Sequence, residues 1–290
     1  MARPSISPWL RALASGAALL LVVDCQADAP TTLAPDQSPA NARAGYDTPG
    51  MHRQYGTPVK VGDGMARTYV VLDAKSGQAP VELGIALDEK ALDGLPTDVG
   101  EHSFDLALPA QAPAPYQFAE LDWNPQGHAP AGVYDVPHFD FHFYMISPAA
   151  RDAIDPSDPN FAAEASNLPS GDLVPPFYVV PGPPAAVAVP HMGVHWSDVR
   201  SPELQALLGN PAGYQPFTKT FIYGSWNGSF TFLEPMVTRE YLLSHPDATS
   251  LISVPARYAQ PGSYPTSYRV TYDPQAKEYR VALSGMMNHQ

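Results

Sequence analysis

Polar and apolar residues alternate along residues 138–145, and this alternation predicts a β-strand. Successive side chains of an extended strand point to opposite faces, so every second residue shares a face. One face would belong to the core, and the other would carry groups that titrate or bind metals. A solvent-facing strand usually carries Lys, Thr, Ser or Glu, so this composition indicates a site. The two faces are His138, Asp140, His142 and Tyr144 on one side, and Phe139, Phe141, Phe143 and Met145 on the other.

Short strand patterns recur along the chain and are separated by turn residues. The 34 prolines and 21 glycines favour many turns and few long helices. Helical patterns are confined to 149–154, 160–166, 202–208 and 238–244, and the polar segment 148–185 is expected to be an insertion or a lid. We predict a mainly β fold, an antiparallel sandwich or barrel with short helices and long Pro-rich loops. Further strands are expected at 67–73, 81–87, 103–108, 116–123, 267–272 and 278–283.

The clearest hairpin spans residues 217–237. Asn227 and Gly228 are expected to form its turn, because a type I′ turn needs positive φ at both central positions. Counting outward from this turn pairs Phe221 with Glu234 and places the carboxylate at the end of an aromatic face. A carboxylate there needs a cationic partner. Glu234 is therefore a candidate site residue, and an ordinary salt bridge to an arginine is the alternative.

The N-terminus has a targeting pattern. A weakly positive start precedes an apolar run over residues 12–23, which is too short to span a bilayer as a mature helix. We interpret residues 1–27 as an export signal. Residues 28–55 are rich in Pro, Ala, Asp and Thr and are expected to form a flexible tether. Residues 56–290 then form a single mainly β domain.

Cys25 is the one cysteine of the chain, and two interpretations of it stay open. It could carry the lipid of a bacterial lipoprotein, although Asp24 stands where such a signal has a small residue. Alternatively, the export signal is cleaved after Ala27. Both interpretations place the protein outside the cytoplasm, either periplasmic or secreted. The mature domain then has no disulfide, so packing or a metal must stabilise it.

The charge balance limits the partners. Acidic residues outnumber Lys and Arg by 29 to 16, and the basic residues do not cluster. No nucleic acid and no anionic membrane surface is therefore expected as a partner, whereas a small-molecule substrate is compatible with this composition. The sequence also has no P-loop, no dinucleotide fingerprint and no CxxC motif.

Four of the nine histidines occur in two close pairs, His138 with His142 and His191 with His195. A zinc site needs three or four donor atoms at about 2.0–2.3 Å from one point. In a regular strand, residues four apart are separated by about 13 Å and residues two apart by about 6.6 Å. Asp140 therefore pairs more easily with either neighbouring histidine than the two histidines pair with each other. In the second pair, the intervening glycine allows a turn that brings both imidazoles together.

We predict a divalent metal site with zinc as the expected ion. If one coordination position stays open, bound water becomes acidic near neutral pH and hydrolase-like or lyase-like chemistry follows, with Asp140 or Glu234 as the catalytic base. Copper is an alternative, because the thioethers of Met192, Met286 and Met287 are soft ligands suited to Cu(I). A buried hydrogen-bonded network without a metal is the other interpretation. The expected metal ligands are His138, His142, His191, His195 and Glu234.

Three segments carry a family resemblance, namely residues 136–144, 190–196 and 217–236. They resemble a family of exported bacterial proteins of unknown function with the signature Pro-His-Phe-Asp-Phe-His-Phe-Tyr. This family includes a ring-forming Thermus protein associated with the extracytoplasmic stress response. The resemblance implies an exported, homo-oligomeric domain whose matching His, Asp and Glu residues form a shared site. It implies no reaction, so a self-assembling structural or envelope stress-response module without catalysis is the alternative to a metal protein.

Overall fold

The computed structural model describes residues 50–290. Residues 1–49 lie outside the described part of the chain. The export signal expected over 1–27, with Cys25, and most of the tether expected over 28–55 therefore stay predictions.

Sixteen strands and four short α-helices form in residues 50–290. The helices are α1 (Pro148–Asp152), α2 (Phe161–Ser166), α3 (Pro184–Val187) and α4 (Arg239–Leu243). The strands are β1 (Met51–Tyr55), β2 (Val59–Val61), β3 (Gly64–Asp73), β4 (Ala79–Asp88), β5 (His102–Ala107), β6 (Phe118–Asn124), β7 (His138–Tyr144), β8 (Tyr178–Val179), β9 (Val194–Asp198), β10 (Lys219–Trp226), β11 (Ser229–Thr238), β12 (Asp247–Leu251), β13 (Gly262–Tyr264), β14 (Ser267–Asp273), β15 (Glu278–Ser284) and β16 (Met287–His289).

The strands form two large antiparallel sheets and one small one. Sheet A has the order β1-β3-β4-β15-β14-β12, with β2 paired to β3, and sheet B has the order β5-β6-β7-β11-β10-β9-β8. Strands β13 and β16 form a separate pair. Both large sheets have open edges, so the architecture is a sandwich and not a closed barrel. The predicted mainly β class is confirmed.

The main core lies between the two large sheets. Phe139, Phe141 and Phe143 of β7 are fully buried there, together with Val70 of β3 and Ile85 of β4. Burial of one such side chain contributes about 1.5–3 kcal/mol relative to exposure. This confirms the predicted core face of β7. The opposite face of this strand therefore points away from the sandwich core.

The helices are short, as the sequence predicts. Residues 202–208 form only a 3-10 turn at Pro202–Leu204, whereas α1, α2 and α4 lie within the other three predicted stretches or begin one residue before them. The segment 148–185 contains α1, α2, the beginning of α3 and the edge strand β8. Among residues 50–290, every helix is too short or too polar to cross a membrane.

The ordered sheet begins earlier than the composition predicts. Strand β1 starts at Met51, within the stretch 28–55 assigned to the tether, and pairs along its length with β3. The strand lies at an edge of sheet A, and none of its residues is fully buried. An edge strand of this kind needs no strict apolar alternation, so the sequence pattern does not reveal it.

The hairpin of β10 and β11 has the expected turn, with positive φ at Asn227 (45°) and Gly228 (85°). A bulge between the strands then shifts the register, so Glu234 lies opposite Ile222. The predicted pairing of Glu234 with Phe221 is wrong, because counting outward from a turn does not detect an extra residue. Glu234 consequently leaves the core face, where Phe221 packs, and contacts an imidazole of β7.

Candidate functional site

The polar face of sheet B is buried although it points away from the sandwich core. His138, Asp140 and His142 of β7 are at most 2% exposed. The pairing of β6 with β7 places Asp122 opposite Asp140, and β11 brings Glu234 beside His142. Burying polar groups is costly unless they are paired. The buried polar groups of this face therefore need hydrogen-bond or charge partners.

Aromatic and apolar side chains cover the polar face. The ring of Phe217 lies 5.4 Å from the ring of His138, and the ring of Phe232 lies 4.8 Å from that of His142, measured between centroids. Met192 packs in the same apolar cluster as Phe232. Such a cover keeps bulk water away and strengthens electrostatic interactions within the site.

Three side chains from three strands converge on this face, and we name them the central group: His142 of β7, His195 of β9 and Glu234 of β11. Nε2 of His142 lies 3.5 Å from Oε2 of Glu234, and Nε2 of His195 lies 3.7 Å from the same oxygen. Donor atoms at about 2.0–2.2 Å from a tetrahedral zinc ion are separated by roughly 3.3–3.6 Å. The central group therefore has close to the spacing of metal ligands.

Asp122 lies behind His142. Its Oδ2 atom is 2.9 Å from Nδ1 of His142, which is an ion-pair distance without the alignment of a full hydrogen bond. A carboxylate at Nδ1 holds the proton there and leaves the lone pair of Nε2 free for a ligand. Metal-binding histidines usually have such a partner behind them. Asp122 therefore favours the tautomer that the central group needs.

Several buried polar atoms of this face have no aligned hydrogen-bond partner among the described residues. An atom of this kind costs about 1–3 kcal/mol, so native proteins contain few of them. Their concentration on one face marks a place that suits a ligand. They are Oδ1 and Oδ2 of Asp122, Nε2 of His138, Oδ1 of Asp140, Nδ1 and Nε2 of His142, and Oε2 of Glu234.

A second set of donors, the loop group, consists of His128, His138 and Asp140. Nε2 of His138 lies 3.2 Å from Oδ1 of Asp140, and Nε2 of His128 lies 3.4 Å from Oδ2 of the same carboxylate. His128 comes from the loop after β6, and its side chain is 40% exposed. The loop group thus joins a surface imidazole to two buried residues of β7.

A third set combines Glu120 and Asp122 with His142. Glu120 already forms an ion pair with Arg151, and the hydroxyl of Tyr144 donates to its Oε1 atom at 3.4 Å. Asp122 in turn faces Nδ1 of His142. Glu120 thus has a cationic partner and Asp122 lies at ion-pair distance from His142, so the central and loop groups are the two better ligand sets.

Buried carboxylates give the polar face an excess of negative charge. Glu120, Asp122, Asp140 and Glu234 are each at most 4% exposed, and the permanent cation Arg151 contacts Glu120. Burial raises the pKa of Asp122, because its charged form loses hydration. Burial acts in the same direction on Asp140, but the charges and hydrogen bonds of two neighbouring histidines outweigh it and lower its pKa. A dry site with this charge favours a bound cation.

The two imidazoles of the central group differ in protonation. Burial acts to lower the pKa of His142, but Glu234 and Asp122 outweigh it and raise the pKa well above the ordinary value. Burial lowers the pKa of His195, and the neighbouring His142 adds to that effect against the pull of Glu234. A proton is thus held between His142 and the two carboxylates. A divalent ion that binds there displaces this proton.

The structure separates the residues that the sequence predicts as one ligand set. Three of the five meet in the central group, and His138 lies in the loop group beside Asp140. The fifth, His191, is exposed, has a φ of 64° and belongs to neither group. His138 and His142 lie in different groups because they are four positions apart in a regular strand.

Sequence reasoning missed three residues of the site. Glu120 and Asp122 share a face of β6 with Asn124, which is the alternation that identifies β7. This signal was present in the sequence. His128 carries no comparable signal, because its contact with Asp140 depends on the path of a loop.

An open cleft with a volume of about 260 Å³ lies on the side of Glu120. Glu120 and Arg151 lie on its wall, with Met192 beside them. The cleft connects to the site through Glu120, whose carboxylate lies within 4.8 Å of the donor atoms of Asp122 and His142. Glu120 and Asp122 thus lie between this cleft and His142.

A family model matches part of the chain. No curated protein and no solved structure matches the chain. The match to a family model contains β4, β5, Glu120 and Asp122, but it ends before β7, so the resemblance of residues 136–144 stays a prediction. Residues 77–123 match a family described as TTHB210-like, hypothetical protein TTHB210, and over these residues the chain is similar to that family.

Proposed function

We propose that this protein binds a divalent transition metal ion at the central group, and that the ion is zinc. Nε2 of His142, Nε2 of His195 and Oε2 of Glu234 are the ligands, and Asp122 orients the imidazole of His142. The convergence of these atoms carries the proposal. Both nitrogens lie 3.5–3.7 Å from one carboxylate oxygen that has no aligned hydrogen-bond partner.

The chemistry of the donors supports zinc. Two neutral imidazoles and one carboxylate form a donor set that catalytic zinc sites use, and this set leaves a fourth position open. The same donors with open positions also suit Fe(II), and copper binds imidazole as well. The bound zinc, iron and copper must therefore all be measured.

An open position would give the site a reaction. A bound water is acidified toward neutral pH, and hydrolase-like or lyase-like chemistry on a small-molecule substrate becomes available. The cleft of about 260 Å³ beside Glu120 provides room for such a substrate. Glu234 serves as a ligand in this arrangement, so the role of base predicted for Asp140 or Glu234 is not part of the proposal.

We also propose that the protein acts outside the cytoplasm. The support is the export pattern of residues 1–27, with lipidation at Cys25 or cleavage after Ala27. The homo-oligomeric state that the family resemblance implies stays a prediction.

Metal analysis of the full-length chain tests the metal proposal. The wild type, His195→Ala and His191→Ala are purified without added metal, dialysed against metal-free buffer and analysed for zinc, iron and copper by mass spectrometry. The side chain of His195 is 23% exposed, so its truncation perturbs the fold less than truncation of the buried His142. His191→Ala is the matched control, because it removes an exposed histidine outside both groups.

The expected result is bound zinc in the wild type and in His191→Ala, and one equivalent less in His195→Ala. Two outcomes would contradict the proposal. One is a wild type without bound metal, and the other is an unchanged metal content in a folded His195→Ala variant.

A further inference from the structure

The loop group has the features of a metal site of its own. We propose that His128, His138 and Asp140 bind a second divalent transition metal ion, of the class that prefers imidazole and carboxylate ligands. The group shares no residue with the central group, so this inference does not rest on the proposed function.

Contacts with backbone carbonyl oxygens determine which ring nitrogens of His128 and His138 are free. Nδ1 of His138 lies 2.7 Å from the carbonyl oxygen of Val136, and Nδ1 of His128 lies 2.8 Å from that of Ala129. A carbonyl oxygen accepts hydrogen bonds and cannot donate, so both Nδ1 atoms carry the proton. In their neutral forms, both imidazoles therefore have the lone pair on Nε2. These are the two atoms that face Asp140.

The donor atoms of the loop group also have close to the spacing of metal ligands. The two Nε2 atoms lie 3.2 and 3.4 Å from the oxygens of Asp140, and all three donor atoms lie within 4.8 Å of one another. Ligand atoms around a tetrahedral ion at about 2.0–2.2 Å are separated by roughly 3.3–3.6 Å. Nε2 of His138 and Oδ1 of Asp140 have no aligned hydrogen-bond partner. Burial acts to lower the pKa of His128, but Asp140 outweighs it and raises the pKa to about 9, so an ion that binds here displaces a proton.

The end of β6 and the turn that follows it hold the loop group in place. Nδ2 of Asn124 donates to Oδ2 of Asp140 at 2.8 Å, which fixes the carboxylate from the end of β6. The turn that follows brings His128 back over the strand, because Gly127 has a φ of 67° and an added Cβ there would lie 2.0 Å from the carbonyl oxygen of Tyr134. The backbone N–H of His128 donates to the same carbonyl oxygen at 3.1 Å.

The loop group is partly open to solvent. His138 and Asp140 are at most 2% exposed, whereas the side chain of His128 is 40% exposed. The rings of His128 and His138 meet edge to face with centroids 4.7 Å apart, and Phe217 also packs against His138. An ion can thus enter from the side of His128 and meet two preorganised ligands beneath it.

Counting metal equivalents tests the inference. The full-length chain is depleted of metal and titrated with zinc in competition with a chromophoric chelator. The same titration is made on His128→Ala, His195→Ala, the double variant and His191→Ala. Circular dichroism checks the fold of each variant. His128→Gln replaces His128→Ala if the smaller side chain disturbs the loop.

We expect two equivalents in the wild type and in His191→Ala, one in His128→Ala, one in His195→Ala, and none in the double variant. Two equivalents in a folded His128→Ala, or a wild type with one equivalent that is lost in His195→Ala, overturn the second site. A single equivalent that is lost in His128→Ala and kept in His195→Ala supports this site and contradicts the central one. No bound zinc in the wild type overturns both.

Discussion

The two faces of β7 are equally buried, yet they are built in different ways. On the core face, Phe139, Phe141 and Phe143 pack in the main core, which residues of sheet A share. On the opposite face, His138 and His142 are as fully buried, but their Nε2 atoms have no aligned hydrogen-bond partner. Burial therefore does not distinguish a functional site from a core. The polar face is distinguished by donor atoms that have no aligned hydrogen-bond partner and that have the spacing of metal ligands.

The difference assigns each face its own part in the protein. Apolar packing within the chain stabilises the core face, so this face requires no bound ligand. The polar face collects buried carboxylates and imidazoles whose charges are balanced in part by protons and by Arg151. A bound divalent ion would balance the rest. Substitutions on the two faces should therefore differ in their dependence on metal.

The largest effect is expected on the core face. Phe141→Ala should lower the free energy of unfolding by about 3–5 kcal/mol, because it removes a buried ring and leaves a cavity. Urea unfolding with and without a chelator measures this, and the loss should be the same in both. A loss that disappears in the chelator would show that the two faces are not independent.

The next effect belongs to the metal. Zinc at 100 times its dissociation constant should stabilise the wild type over the chelated protein by about 2.7 kcal/mol for each occupied site. In Glu234→Gln the contribution of the central group should vanish, because a carboxamide is a poor ligand and cannot balance the charge, and the contribution of the loop group should remain. Thermal unfolding with zinc and with chelator gives both numbers. A wild type whose unfolding is insensitive to zinc would contradict the proposal that the polar face binds a metal ion.

A smaller loss is expected from the residue behind His142. Asp122→Asn should weaken zinc binding by about 10–100-fold, since it removes the charge that orients the imidazole and raises its basicity. Competition titration measures the affinity, and Asp135→Asn, at an exposed position, is the matched control. Equal losses in the two variants would assign the effect to net charge instead of to the contact with His142.

The smallest effect is expected at Glu203, a buried carboxylate that has a hydrogen-bond donor, whereas Oε2 of Glu234 has no aligned donor. Glu203 is buried and accepts a hydrogen bond from the hydroxyl of Tyr134 at 3.3 Å. Burial raises the pKa of Glu203, so the folded state holds more protons than the unfolded state above the ordinary value of about 4.3. The free energy of unfolding therefore falls as the pH rises from there through the raised pKa.

Glu203→Gln should flatten this pH dependence and leave the zinc content unchanged, because glutamine does not titrate and Glu203 lies outside both ligand groups. Urea midpoints between pH 4 and pH 7 measure the slope. A loss of zinc in this variant would contradict the assignment of the ligands.

Much of the fold follows from local sequence. The alternation in β7 and the Asn227-Gly228 turn depend on neighbouring residues, so both were predictable. The bulge that moves Glu234 opposite Ile222 was not, because an extra residue in one strand leaves no trace in the apolar pattern. The exposed edge strand β1 was missed because none of its residues is fully buried.

The site was predictable in its residue types and less so in its grouping. His142 and His195 meet because β11, β10 and β9 follow β7 in this order across sheet B, an order that no local pattern contains. His128 reaches Asp140 through a loop, and that contact is also non-local. His191 is close to His195 in sequence, but the backbone turns its side chain outward.

The most direct test of the central claim is a crystal structure of the zinc-loaded full-length chain with anomalous scattering measured at the zinc edge. We expect an anomalous peak at about 2.0–2.2 Å from Nε2 of His142, Nε2 of His195 and Oε2 of Glu234. A central group without such a peak, or a zinc ion bound by His191 in place of these ligands, would contradict the central claim.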